Sequence, residues 1–170
     1  IPWYAGLAAY NDGLCDDLAL KLLTMGYEYN RQMLAGRDRV AGEDGGYVVA
    51  TVAYSLGMYI WADINFFTTW RSATGEDIAR DSRHFRGYPL WTEYSLFPGD
   101  APGLEYGLGD ASHWDNSLQP NSLHYLHVLN LVGQDSDAGR LAADLYRRTK
   151  KVPFQNSEHY PCHIFLVDAV

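Results

Sequence analysis

Asp110, Ser112, His113, Trp114, Asp115 and Asn116 crowd into one glycine-flanked run, GLGDASHWDNS (107–117). An indole stacks on the face of a sugar ring while carboxylate and amide groups take its hydroxyls, so this run suits carbohydrate recognition; the plainer alternative is a turn that caps its own backbone. A second concentration is GEDGGYVVATVAYSLGMYIW (42–61), where Asp44-Gly45-Gly46 precedes Tyr47, Tyr54, Tyr59 and Trp61. The glycine pair supplies a turn open to positive φ. Each tyrosine joins a hydrophobic body to a titratable hydroxyl, and serves either core packing or a hydroxyl-lined site. His124 and His127 stand three apart, close enough to share a ligand on one helix face, although SLHYLHVLNL also reads as a half-buried face. His159, Cys162 and His163 have the residue types of a divalent-metal site, but Pro161 forces a turn between them and no fourth ligand is indicated, so the expectation is no cofactor, with that metal as the weaker alternative. Phosphate chemistry finds no support, since the sequence lacks GxxxxGK[ST], GxGxxG and GxSxG.

The elements that position these groups follow from patterning. Leu14, Leu18, Leu22, Met25, Tyr29 and Met33 recur at steps of three and four after an Asn11-Asp12-Gly13 turn, predicting an amphipathic helix that ends at Gly36 and buries Leu18, Leu22 and Met25. A polar loop (37–46) leads to a second helix over about 49–73, stopped by Thr74-Gly75, with Leu56, Ile60 and Ile64 in the core. A third helix lies within 81–97 and is interrupted or ended around Pro89 and Pro98. The Gly-, Pro- and Asp-rich stretch 98–120 is a loop. A helix from Asn121 broken by Gly133, and another from Asp135 or Ser136 to Arg148, form an αα-hairpin. A short strand is allowed only at 164–167. The expectation is one mainly α domain over 1–170, built of antiparallel helix pairs.

A net charge of −8 repels nucleic acid and anionic membranes, and the basic group Arg147, Arg148, Lys150, Lys151 sits at a helix end, where it offsets the macrodipole. No nucleic-acid partner is expected. Residues 48–70 are apolar almost all round, yet Asp63 and Asn65 in their midst suit a buried helix rather than a membrane span. Two cysteines, Cys15 and Cys162, allow at most one long-range bridge. The sequence begins Ile-Pro-Trp, consistent with a processed product whose export signal has gone and with a periplasmic or secreted location.

The run AGEDGGYVVATVAYSLGMY, followed by WRSATGEDI and then YGLGDASHW, resembles the heparinase II/III-like polysaccharide lyases and their alginate-lyase relatives over roughly residues 7–148. The resemblance implies an incomplete (α/α) toroid and β-elimination at a uronic acid. A positioned base removes the C5 proton once the neighbouring carboxylate is neutralised, and an acid protonates the departing O4. It makes Tyr54 the base, acid or both, with His113, Arg37 or Arg39 stabilising its phenolate. Tyr47, Asp110, Trp114, Asn116 and Arg37 then hold the substrate, a uronic-acid-containing polysaccharide or oligosaccharide. Two departures stand out: Val49-Ala50 occupies the place of the family's Glu-Gly pair, and the family's carboxylate-neutralising Asn-His pair would precede Ile1. The site is therefore expected to draw on the remainder of its own chain. The alternatives are a glycoside hydrolase on a related helical toroid, for which Asp44, Glu93, Asp110 and Asp115 are the available carboxylates, and a non-catalytic carbohydrate-binding or scaffold fragment.

Overall fold

In the structure, a computed structural model, residues 2–42, 44–46, 59–95 and 121–149 are described, and they are almost entirely helical. The elements are α1 (Pro2–Ala9), α2 (Asp16–Val40), α3 (Ile60–Thr74), α4 (Arg83–Ser95), α5 (Asn121–Val132) and α6 (Asp137–Thr149), with a 3₁₀ turn at Ala79–Asp81. The fold is mainly α as expected, with no strand among the described residues; the run 164–167 lies outside them. The chain divides into two compact units, Ile1–Arg39 and Val40–Val170.

In the first unit, the Asp12 carboxylate accepts the Leu14 N–H at 2.8 Å and the Cys15 N–H at 3.3 Å, closing the Asn-Asp-Gly turn that opens α2. Asp16 and Asp17 in its first turn and Arg37 and Arg39 in its last complement the helix dipole. Further along the exposed surface, Glu28 hydrogen-bonds Arg31 and raises that guanidinium's pKa above its ordinary value, its charge adding to the effect. The α1–α2 contact is a backbone crossing. A Cβ on Gly6 would lie 2.8 Å from the Leu23 nitrogen, and one on Gly26 would lie 2.6 Å from the Trp3 Cα, so both glycines are required by close approach.

Two expectations for α2 are corrected here. The helix runs through Gly36 to Val40, because a glycine inside a helix weakens it without ending it. Termination awaits a left-handed residue, and Gly42 at φ 61° provides one. The buried residues of α2 are Ala19, Gly26 and Leu34, whereas Leu18 is 56% and Met25 54% exposed and Leu22 is half-buried. Periodicity marked a helix correctly and named the wrong face, because the partner is met through small residues.

In the second unit α5 is the central element. Tyr125, Val128, Leu129, Leu131 and Val132 are all buried, and α3, α4, α6 and the 3₁₀ turn pack around it. The α5–α6 hairpin turns at Gly133, φ 86°, and the Ser136 hydroxyl caps α6 by accepting the Gly139 N–H at 2.9 Å. Ile60 and Ile64 are buried as expected, α3 ends on Gly75 at φ 77°, and Leu56 lies outside the described residues. Helix α4 contains Pro89 in its interior, correcting the expected break. Proline removes one backbone hydrogen bond, but Phe85, Tyr88, Pro89 and Thr92 are all buried, so packing holds the helix where propensity would not. No described helix is long and apolar enough to cross a membrane.

Candidate functional site

The Asp44-Gly45-Gly46 turn can be built up atom by atom. Gly46 donates its N–H to the Ala41 carbonyl at 3.1 Å and to the Asp44 carboxylate at 3.2 Å, while Gly45 takes φ 72°, the positive value expected of it. The turn is seated on α4 by a second glycine. A Cβ on Gly87 would lie 2.5 Å from the Gly45 nitrogen, and a Cβ on Gly45 would lie 2.5 Å from the Gly87 Cα, so the two backbones touch with no room for a side chain. A Cβ on Gly46 would meet Trp91 at an ordinary 3.5 Å, which places that indole alongside.

Helices α3, α4 and α5 bring a set of polar and aromatic side chains into the core beneath. Asp63 on α3 and His84 on α4 face each other at 3.3 Å and are 0% and 1% exposed. Charged or strongly polar groups are held inside only when they find each other, so this pair ties α3 to α4. Next to it along both helices, Phe67 and Phe85 meet edge to face at 4.8 Å. Trp61 approaches two imidazoles, with ring centroids 5.2 Å from His124 and 5.5 Å from His127. The histidines three apart thus share an indole, and both are buried. Among the described residues no group of three or more His, Cys, Asp or Glu could hold a metal ion. Tyr88 and Tyr125 approach at 6.2 Å, and Arg71 donates from α3 to the Asn130 carbonyl at 3.2 Å.

Of the residues singled out in sequence, Tyr47, Tyr54, Asp110, His113, Trp114 and Asn116 lie outside the described residues, as do His159, Cys162 and His163. Arg37 is half-buried in the last turns of α2 rather than in a loop. Cys15 is exposed with a free thiol. Tyr59 is 41% exposed, and Trp61 is only half-buried. Glu93, one of the carboxylates considered for hydrolysis, is engaged by Arg148, which Asp144 holds from the other side at 2.9 Å. The hydrogen bond to Glu93 is the main reason the Arg148 guanidinium is raised above its ordinary pKa. Sequence reading passed over the Asp63–His84 pair. An acid in the middle of an apolar helix was the available signal, but its partner stands on another helix and no spacing rule identifies it.

No protein-family model matches the chain, and neither a curated protein nor a solved structure matches it.

Proposed function

We propose that the chain carries the helical catalytic module of a polysaccharide lyase that cleaves uronic-acid-containing polysaccharide by β-elimination, on an incomplete (α/α) toroid. The observation that supports this reading most is the Asp44-Gly45-Gly46 turn: it is the phrase through which the lyase resemblance runs, and it is clamped backbone to backbone on α4 at Gly87. A turn so fixed is a suitable origin for a segment that must hold a catalytic side chain to within fractions of an ångström. The mainly helical fold of the described residues and the α5–α6 hairpin agree with the helix pairs the resemblance implies.

In this mechanism Tyr54 takes the C5 proton and returns a proton to the departing O4. A phenol with an ordinary pKa near 10 needs a cation or hydrogen-bond donors to act as a base near neutrality, and His113 fills that role. Trp114 stacks on a sugar ring, while Tyr47, Asp110 and Asn116 take hydroxyls. The reaction calls for no cofactor, and its polymeric substrate places the enzyme in the periplasm or outside the cell.

The test is to incubate the protein and a Tyr54→Phe variant with alginate and with glycosaminoglycans, following the ultraviolet absorbance of the unsaturated uronate that elimination creates. The expected result is activity in the parent protein and a loss of about a hundredfold or more in the folded variant. Full activity in Tyr54→Phe would overturn the assignment. Reducing ends released without the absorbance would establish hydrolysis instead.

A further inference from the structure

Outside the turn and the buried pair, the second unit holds a cleft of about 350 Å³ between α4 and α6. Its α4 wall carries Arg83, Arg86, Gly87 and Leu90, and its α6 wall includes Asp137 and Leu141. The two arginines are a single helical turn apart and both are exposed, on a protein whose net charge is −8. Among the described lining residues two guanidinium groups stand against one carboxylate, that of Asp137, which Arg140 also holds. Gly87 is common to this cleft and to the seat of the Asp44-Gly45-Gly46 turn, which makes the two neighbours. A space of this size admits a sugar ring, and its lining combines an apolar floor with paired cations and one hydroxyl acceptor.

The geometry points to this cleft as a subsite for an anionic sugar, in which Arg83 and Arg86 take a carboxylate or sulfate group, Asp137 takes a ring hydroxyl, and Leu90 and Leu141 line the ring. A guanidinium fork matches the planar, two-oxygen edge of these anions better than an ammonium does. Because the cleft is open, the interaction is screened by salt. The inference rests on the lyase reading for its place in a reaction, since it adds a site that holds an acidic residue of the polymer beside the turn leading to Tyr54. The binding itself stands apart from any turnover.

The experiment is titration of the protein with glucuronate, with N-acetylglucosamine 6-sulfate and with glucose, read by amide chemical shifts and repeated on Arg83→Gln and Arg86→Gln variants checked for unchanged helicity. Expected are shifts centred on residues 83–90 and 136–141 with one or both acids, none with glucose, and binding weakened roughly tenfold by either substitution and by high salt. Response to glucuronate alone identifies the subsite as one for carboxylates, and response to the sulfated sugar alone as one for sulfates. Equal binding of glucose, or acid binding untouched by Arg86→Gln, would overturn the subsite. Elimination assays keep the two ideas separable. A polymer cleaved equally well by Arg86→Gln, with no acid bound in the cleft, refutes the subsite and leaves the lyase. Acid bound in the cleft with no uronate polymer cleaved refutes the lyase and leaves the subsite.

Discussion

Replacing Gly87 by alanine sets two known effects against each other, and the structure decides between them. Alanine is the better helix former, and in the interior of an exposed helix the exchange stabilises by about 1 kcal/mol. At position 87, however, the new Cβ would lie 2.4 Å from the Gly45 Cα, when ordinary contact begins at 3.4 Å, so the turn must withdraw by about 1.0 Å (3.4 − 2.4). The obstacle is backbone, which cannot rotate away as a side chain can, so the penalty belongs near the upper end of the overpacking range, about 3 kcal/mol. The net expectation is a loss of about 2 kcal/mol (3 − 1). Gly36 is the internal control: it lies inside α2 with nothing within 4 Å of its would-be Cβ, so Gly36→Ala shows the propensity gain alone, about +1 kcal/mol. Urea unfolding followed by far-ultraviolet circular dichroism reads both, with the Gly87→Ala midpoint shifting down and the Gly36→Ala midpoint shifting up. Stabilisation of both variants alike would refute the seating of the turn on α4. In the lyase reading the same displacement of about an ångström also lowers elimination on the order of a hundredfold.

Two side-chain pairs of opposite setting are expected to behave differently. Asp63→Ala leaves the fully buried His84 facing a void and should destabilise by roughly 3 kcal/mol, with a double-mutant cycle against His84→Ala giving a coupling above about 1 kcal/mol; additive losses would show that the two side chains do not act as a pair. The Arg148–Glu93 pair joins the end of α6 to α4 at the surface, with both side chains about two-fifths exposed, so Arg148→Ala should cost less than about 1 kcal/mol and its effect should fade in high salt; a loss of 3 kcal/mol insensitive to salt would contradict this.

Helix existence was legible in the sequence wherever a punctuating residue agreed with the pattern. Gly75, Gly133 and Ser136 stop or cap helices where composition places them, and the αα-hairpin of α5 and α6 follows directly. Punctuation misled where packing intervened. Gly36 and Pro89 both lie inside helices, the first because a glycine that keeps helical φ and ψ weakens a helix without ending it, the second because buried neighbours hold the backbone on either side of it. The α2 face was misread for a related reason. Periodicity ranks faces by hydrophobicity, whereas α1 and α2 meet where the chain is smallest, at Gly6, Ala19 and Gly26, leaving Leu18 and Met25 outward. The α1 helix, with too few residues to show a period, was missed altogether. Of the residues nominated through the resemblance, only Arg37 and Arg39 fall on a described helix, so the roles proposed for the run 107–117 and for Tyr54 rest on residue types and on the resemblance.

The Asp44-Gly45-Gly46 turn is where these lines meet. Gly45 has two reasons to be glycine, a positive φ and the contact with α4, while Gly46 gives Ala41 an N–H that any residue but proline could supply. The sequence alone announced the first reason. It was silent on the contact, because Gly87 sits 42 positions later (87 − 45) in a helix where a lone glycine reads as a weakness. A glycine that weakens its own helix by about 1 kcal/mol is explained once it admits another backbone at van der Waals distance. That position lies at the edge of a basic cleft and beneath the turn leading to Tyr54, so exchanging Gly87 tests at once whether the turn, the cleft and the chemistry form one site.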